Sequence, residues 1–338
     1  MSQQPTLRDV AQLAGVHPST ASRVLSGSRT VGPDLALAVQ RAAQTLDYRV
    51  NVIGRALRQR KTGTIGMVVP AIDNPFFPAM VKAVEKSLHE HEFELFICDA
   101  DNDPAVERER LRNLVARRVD GILISPVHQH DSVDAVGSAA AQVAVVQLDR
   151  SVSAGTDRVE VDQEALVTDL VTHLRAGGRR RLAFLTSGGL ISTIEERLTV
   201  YRRLLAGDAD SLRRVYRGDL TVEWGIRATE QILAQEPTLP DAFVCANDLI
   251  ALGAMQALRV AGISVPDDIA VTGIDDLAFS QVAHPALTTA RQPVDQMGQE
   301  AVAMLLRRLA EPELAPRRLV LGSQLIVRAS STVADEYV

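Results

Sequence analysis

The chain has 338 residues, 46% hydrophobic, 23% charged and only 4% aromatic, with a formal net charge of −6. That length suggests two or three domains at roughly 150 residues each, and the composition excludes global disorder. No apolar run approaches the roughly 18 residues of a membrane span. The N-terminal MSQQPTLRDVAQLAG has no apolar core of signal-peptide length, and Cys98 and Cys245 are too few for a disulfide framework. A cytoplasmic protein with buried thiols is expected.

The charge is unevenly placed. Residues 1–62 hold nine basic and three acidic side chains, a net of +6 that leaves −12 for the remainder. A basic head on an acidic body points to a nucleic-acid module joined to something else, with a solvated charged surface as the alternative.

Thr6 and Asp9 stand three apart before an apolar run, the spacing of a capping box. Leu7, Val10, Ala11 and Ala14 then share one helical face, and Gly15 supplies the left-handed turn that ends it. A second helix starts at Pro18, with Ala21, Val24 and Leu25 inward and Ser19, Thr20, Ser22 and Arg23 outward. A third is predicted from Pro33 to about Leu46, with Leu35, Val39, Ala42 and Leu46 inward. Two short helices joined by a glycine turn make a helix-turn-helix, whose second helix enters the major groove. A three-helix bundle without nucleic acid is the competing reading. Arg23 suits guanine O6 and N7, or a phosphate; His17 suits a phosphate or simply fills the turn; Pro18 offers apolar contact alone.

After Lys61-Thr62-Gly63 the period changes. Apolar runs start near 64, 93, 121 and 143, and a second series near 181, 212, 241 and 269. Helical stretches are predicted between them, near 76–90, 104–117, 163–176, 193–206, 222–235 and 247–261. A further helix near 295–309 and strands near 317–320 and 324–327 follow. Strands alternating with helices predict parallel sheets covered on both faces, and two series of four predict two similar α/β subdomains.

In open α/β sheets, ligands bind beyond the carboxyl ends of the strands. Asp73, Asn74, Phe76 and Phe77 follow the first run, Asp149 the fourth, Asn247 and Asp248 the run at 241, and Asp275 the run at 269. Arg197 lies in the helix after the run at 181. Each has a plainer role open to it: a helix cap for Asn247 or Asp248, a turn for Asp275, a surface ion pair for Arg197, core for the phenylalanines. Catalysis finds little support. No GxxxxGK[ST], HExxH or GxSxG is present, and His128-Gln129-His130 lacks further ligands nearby. No enzyme, metal or cofactor is expected.

TLRDVAQLAGVHPSTASRVLSG, from Thr6 to Gly27, resembles the DNA-binding head of the LacI/GalR family of bacterial transcription regulators. NVIGRAL, from Asn51 to Leu57, resembles the family's hinge, and the similarity runs through most of the chain. The resemblance implies an N-terminal all-α helix-turn-helix head on an α/β body of two Rossmann-like, periplasmic-binding-protein-like subdomains. It implies a head at 1–50, a hinge helix and linker at 51–62, a subdomain of 63–160 plus 291–321, and another of 161–290 plus 322–338. The chain would cross between subdomains near 160, 290 and 322.

It also implies a homodimer on a pseudo-palindromic double-stranded DNA operator, most simply as a repressor. The DNA-binding set would be Thr6, His17, Pro18, Ser19, Thr20, Ser22, Arg23, Arg29, Asn51, Gly54, Arg55 and Leu57. Leu57 would wedge into the central minor groove. Gly54 departs from the usual alanine and costs roughly 1 kcal/mol of helix propensity. The stretches ERL (196–198), ANDLIALGAMQAL (246–258) and GIDD (273–276) resemble effector-contacting segments. They assign Arg197, Asn247, Asp248 and Asp275 to a cleft with Asn74, Phe76, Phe77 and Asp149. Leu220 falls where relatives often carry a stacking aromatic; Trp224 lies four residues on. Carboxylates, amides and one guanidinium suit a neutral sugar effector. A nucleoside or nucleobase, or a protein co-regulator, are the alternatives within the same regulator; a cytoplasmic sugar-binding protein or an enzyme lie further off. A nucleoid-associated location follows from the DNA role.

Overall fold

The computed structural model describes residues 5–25, 31–48 and 62–332. Arg29, Asn51, Gly54, Arg55 and Leu57 lie outside the described residues. The chain divides into two compact units, 1–62 and 63–338.

The first unit holds α1 (Leu7–Leu13), α2 (Pro18–Leu25) and α3 (Pro33–Thr45). The capping box forms: the Thr6 hydroxyl accepts from the Asp9 N–H, and the Asp9 carboxylate accepts from the Thr6 N–H at 2.7 Å. Gly15, at φ +65°, turns the chain so that the Val16 N–H reaches back to the Ala11 carbonyl at 3.0 Å. Proline opens both α2 and α3, where its missing N–H costs nothing. Val10, Ala11, Ala21, Val39, Ala42 and Ala43 form the core, with Leu46 packed against it. Leu35, expected inward, is 48% exposed. It sits one turn before Val39, and so small a core does not reach that turn.

The second unit holds two six-stranded sheets. The first comprises β1 (Thr64–Val69), β2 (Glu94–Asp99), β3 (Gly121–Ile124), β4 (Ala144–Leu148), β5 (Asp157–Val161) and β11 (Arg318–Leu321). Its order is β11-β5-β4-β3-β1-β2, and every pair is parallel. The second comprises β6 (Leu182–Ser187), β7 (Val215–Gly218), β8 (Ala242–Cys245), β9 (Ala270–Ile274), β10 (Thr288–Arg291) and β12 (Gln324–Ile326). Its order is β12-β10-β9-β8-β6-β7, with only β10–β12 antiparallel. Strands β3, β6, β8 and β9 are buried along their whole length, as parallel strands covered on both faces must be.

Helices α4 (Phe76–His89), α5 (Pro104–Ala116) and α6 (Val133–Ala140) follow strands of the first sheet. Helices α7 (Gln163–Ala176), α8 (Ser192–Leu204), α9 (Ala209–Arg213), α10 (Val222–Gln235), α11 (Asp248–Val260) and α12 (Ala278–Val282) follow in the second half. Helix α13 (Val294–Ala310) comes after β10 yet packs on α4, β3, β4 and β5. The chain therefore passes between the sheets three times: after β5, after β10, and between β11 and β12. Each sheet with its helices forms a lobe.

Several elements, the short helix α12 among them, differ from the sequence expectation. β5 reads DRVEV, too charged to signal a strand, because Asp157 and Glu160 are buried against Arg308 and Arg318, at 2.8 and 2.6 Å. β10 reads TTAR, with Thr288 and Thr289 buried and hydrogen-bonded. α6 reads VDAVGSAA, where a glycine and small side chains weaken the helical pattern. The strand expected at 212 starts at Val215, because Leu212 belongs to α9. Cys245 is buried in β8, whereas Cys98 at the edge strand β2 is half-buried.

Candidate functional site

In the first unit, Ser19 and Arg23 are exposed on α2, and Pro18, Thr20 and Ser22 are half-buried. The exposed His17 contacts Ser19 Oγ through Nδ1 at 2.8 Å, and the Ser19 N–H donates to the same nitrogen. His17 thus ends the turn and satisfies a free N–H at the start of α2. Thr6 is engaged in the capping box, where its hydroxyl also donates to Asp9 at 2.7 Å. The outward row on α2 is Ser19, Thr20, Ser22 and Arg23.

In the second unit, a cleft lies between the lobes at the carboxyl ends of the strands. Its outer chamber, about 410 Å³, is lined among others by Asp73, Asn74, Phe77, His128, Arg150, Asp219 and Leu220. A narrow inner recess of about 30 Å³ is lined by Asn74, Phe76, Phe77, Asp149, Arg150, Arg197, Leu220, Asn247, Asp275 and Gln292, with Thr193, Ile194 and Ala246. Eight of the nine cleft residues expected from sequence meet at this recess.

Each is held by its own local structure. The Asn74 side chain accepts from the Phe76 N–H at 3.1 Å, and the Phe76 and Phe77 rings meet edge-on at 5.3 Å. Asp149 and Asp275 both occupy the left-handed region, at φ 66° and 118°, a strained placement for residues with a side chain. Asn247 caps α11, accepting from the Ile250 N–H at 2.9 Å, and its amide also donates to the Leu220 carbonyl at 3.3 Å. Capping and lining the recess are therefore compatible here. Arg197 donates from Nε to Gln163 Oε1 and from Nη1 to the Ala246 carbonyl, both at 2.7 Å.

Asp248 does not reach the cleft. Its carboxylate is buried and accepts from the Leu277 N–H at 2.8 Å, from Ser280 at 2.6 Å and from Thr289 at 2.6 Å. Those three donors fix the loop after β9 and the strand β10, so its assignment to the effector set is corrected to a supporting role. Its carboxyl is pushed up to about 6 by burial, against the pull of those hydrogen bonds. Trp224 also lies off both chambers, packed over Gly218, where a Cβ would come within 2.2 Å of the indole. It does not replace an aromatic at Leu220.

Arg150 and Gln292, like Thr193, Ile194 and Ala246, went unnoticed in the sequence. Arg150 is 5% exposed, lies with its guanidinium carbon 5.4 Å from the Phe77 ring centroid, and stands 3.9 Å from Asp149. Gln292, between β10 and α13, donates from Nε2 to Asp275 Oδ1 at 2.7 Å. Arg150 sits directly after Asp149 at a strand end, a signal that was open to reading. Gln292 lies in a crossover, which periodicity alone does not locate.

The recess therefore contains two guanidiniums and two carboxylates out of water. Burial pushes Asp149 up and Asp275 well above the carboxylate range, opposed in part by the neighbouring arginines. Burial likewise pulls Arg150 and Arg197 down, opposed by the aspartates. Among the side chains that line the recess, two buried atoms have no hydrogen-bond partner: Arg150 Nη1, a donor, and Gln292 Oε1, an acceptor. Leaving such atoms unpaired costs stability, and a polar ligand is one way to satisfy them. Among the described residues, no group of three His, Cys, Asp or Glu side chains is placed to hold a metal, and no helix is long and apolar enough to cross a membrane.

A helix-turn-helix and a two-lobed α/β body with a charged recess define a DNA-binding regulator that responds to a small ligand. Residues 6–51 match the bacterial regulatory proteins of the lacI family, and residues 171–331 match the periplasmic binding protein-like domain. The ribose operon repressor of Escherichia coli (strain K12) is 33% identical over 329 residues, spanning 96% of this chain and 99% of that protein. The crystal structure of the lac repressor dimer bound to operator and the anti-inducer ONPF superposes with a TM-score of 0.89 at 26% identity, covering 98% of this chain and 100% of that one. A transcriptional regulator CelR–cellobiose complex superposes with a TM-score of 0.71 at 31% identity, covering 96% and 99%. The chain belongs to the LacI family of bacterial transcription regulators.

Proposed function

We propose that this regulator is a repressor whose effector is a neutral monosaccharide bound in the inner recess. The observation that carries the reading is the pair of orphaned atoms, Arg150 Nη1 and Gln292 Oε1, beside the carboxylates of Asp149 and Asp275. Vicinal hydroxyls both donate and accept, so one sugar can satisfy both orphans and both acids. Arg150 and Arg197 supply two cations, but Asp149 and Asp275 balance them, which disfavours a phosphate. The edge-on phenylalanines, at 78° between planes, offer one face and no parallel sandwich for a flat base. Similarity to a ribose operon repressor makes D-ribose the first probe.

In the DNA-bound form, two copies present Ser19, Thr20, Ser22 and Arg23 to a pseudo-palindromic operator, and the segment 51–62 with Leu57 contacts the minor groove. The lobes comprise 63–160 plus 291–321 and 161–290 plus 322–338, with the head at 1–50. The protein works in the cytoplasm, associated with the nucleoid. The recess is small and filled by its own hydrogen bonds, so a ligand enters only by rearranging the lobes. That rearrangement couples effector to operator affinity.

Thermal unfolding of the full chain against D-ribose, ribose 5-phosphate and adenine tests the effector. Ribose at 100 times its dissociation constant is expected to add about 2.7 kcal/mol, the others little. Stabilisation by adenine and not ribose would move the effector to the nucleobases and leave the regulator intact.

A further inference from the structure

We infer that Gln163 is a positioning residue for the effector site: it aims Arg197 into the recess without neutralising it, and it does so from the first crossover. This rests on the sugar reading of the recess for its affinity readout alone.

Gln163 is the first residue of α7, directly after the crossover from β5. It is 3% exposed and lines neither chamber of the cleft. The preceding Asp162 caps α7, and its N–H donates to the Leu321 carbonyl at 2.9 Å, at the end of β11. Leu321 is where the third crossover begins. Gln163 therefore stands at the meeting of two of the three connections between the lobes.

Its Oε1 accepts from Arg197 Nε at 2.7 Å, while Arg197 Nη1 is held by the Ala246 carbonyl. A planar guanidinium fixed at two donors has its orientation set. Both acceptors are neutral. A carboxylate in place of Ala246's carbonyl or Gln163's amide would add a charge partner to an arginine that already faces Asp275, Asp149 and Glu196. The neutral amide orients the group and leaves its charge to the recess.

The other end of the amide matters too. Gln163 Nε2 is buried with no hydrogen-bond partner. Glutamine at this position is thus used for its acceptor alone. Replacing the NH₂ by oxygen breaks no hydrogen bond, whereas replacing the acceptor by a methylthio group of similar length removes the one the arginine depends on. The pair Gln163→Glu and Gln163→Met separates acceptor from volume.

The test uses the full chain. In ¹⁵N NMR, the Arg197 Nε–H signal, assigned by its loss in Arg197→Lys, is expected to exchange slowly in the wild type and in Gln163→Glu and rapidly in Gln163→Met. D-ribose affinity, read from the fluorescence of the single tryptophan or by calorimetry, is expected to fall about tenfold in the Met variant, roughly 1.4 kcal/mol, and to fall in the Glu variant as well, which keeps the acceptor but gives the guanidinium a charge partner. Slow exchange and unchanged affinity in Gln163→Met overturn the proposal and leave the sugar reading standing. If wild type binds no ribose while exchange follows the acceptor, the sugar reading falls and the positioning role stands. Should the Met variant not fold, rapid exchange in the Glu variant overturns it equally.

Discussion

The head and the inner recess both meet a partner, yet they hold their polar groups in opposite ways. On α2, Ser19 and Arg23 stand in water over a core of six buried side chains. In the recess, Asp149, Arg150, Arg197 and Asn247 are each 5% exposed or less. The head keeps its charge in water and draws its affinity from displaced counterions. The recess has already paid for desolvation during folding, and its affinity comes from completing hydrogen bonds that the fold leaves open. One surface is made strong by charge in water, the other by charge without it.

Salt gives the largest separation between the two. At 0.1 M salt, exposed charges more than about 10 Å apart are largely screened, whereas buried pairs are screened much less. Raising salt from 50 to 200 mM is expected to weaken operator binding by roughly a thousandfold or more if several phosphates are contacted, and to change ribose affinity by less than about twofold. Fluorescence anisotropy and calorimetry at four salt concentrations measure both slopes. Equal slopes would erase the distinction between the sites.

The next effect is a reversal of sign within the recess. Burial holds the Asp275 carboxyl well above its usual range. A group whose pKa is raised on folding stabilises fully below its unfolded value, near 4, and loses that contribution as pH rises through the raised value. The Asp275 carboxyl therefore contributes progressively less to stability as pH rises above about 4. Asp275→Asn is expected to raise the unfolding free energy at pH 7, with the gain shrinking toward pH 4, while ribose affinity falls about a hundredfold, roughly 2.7 kcal/mol. Because sugar hydroxyls donate to the ionised carboxylate, wild-type affinity should rise with pH across the same window. Asp248→Ala has the opposite signature: three buried donors lose their acceptor, so urea unfolding should show a loss of several kcal/mol.

Arg23 ranks below these. Its replacement by alanine is expected to cost about 1–3 kcal/mol and to relax specificity at one base pair. A purely phosphate contact would instead weaken all sequences evenly and lower the salt slope by about one. Binding measured against a randomised operator library separates the two.

How much of this was legible depended on the range over which each feature is set. The head is a local structure: a capping box, a glycine turn and two prolines lie within a few residues of what they control, and they were readable as such. The cleft was half legible. Asn74, Asp149, Asn247 and Asp275 follow strand runs, so the strand-end rule finds them. Asp248 follows the same rule and is nonetheless turned away, because Ser280 and Thr289, 32 and 41 residues on, claim its oxygens. Gln292 and Gln163 were invisible for the converse reason. Gln292 sits in a crossover and Gln163 directly after one, and spacing along the sequence does not show which side chains those crossovers turn toward the recess. β5 itself was hidden by Asp157 and Glu160, whose partners Arg308 and Arg318 lie over 150 residues away.

The smallest effect tests whether the head is as locally determined as this implies. Thr6 was assigned to DNA by resemblance, but its hydroxyl is committed to Asp9, and Asp9's carboxylate returns to the Thr6 N–H. That reciprocal bond draws the Asp9 carboxyl below its usual range, the backbone hydrogen bond being the main cause. Thr6→Ala should then destabilise the head by about 1 kcal/mol, the usual worth of such a cap, and Thr6→Ser should restore it. Operator affinity, measured well below the melting temperature of the head, should change only as far as the folded fraction does. A loss of affinity in Thr6→Ala at full folding, rescued by serine, would give the hydroxyl a phosphate contact besides its cap.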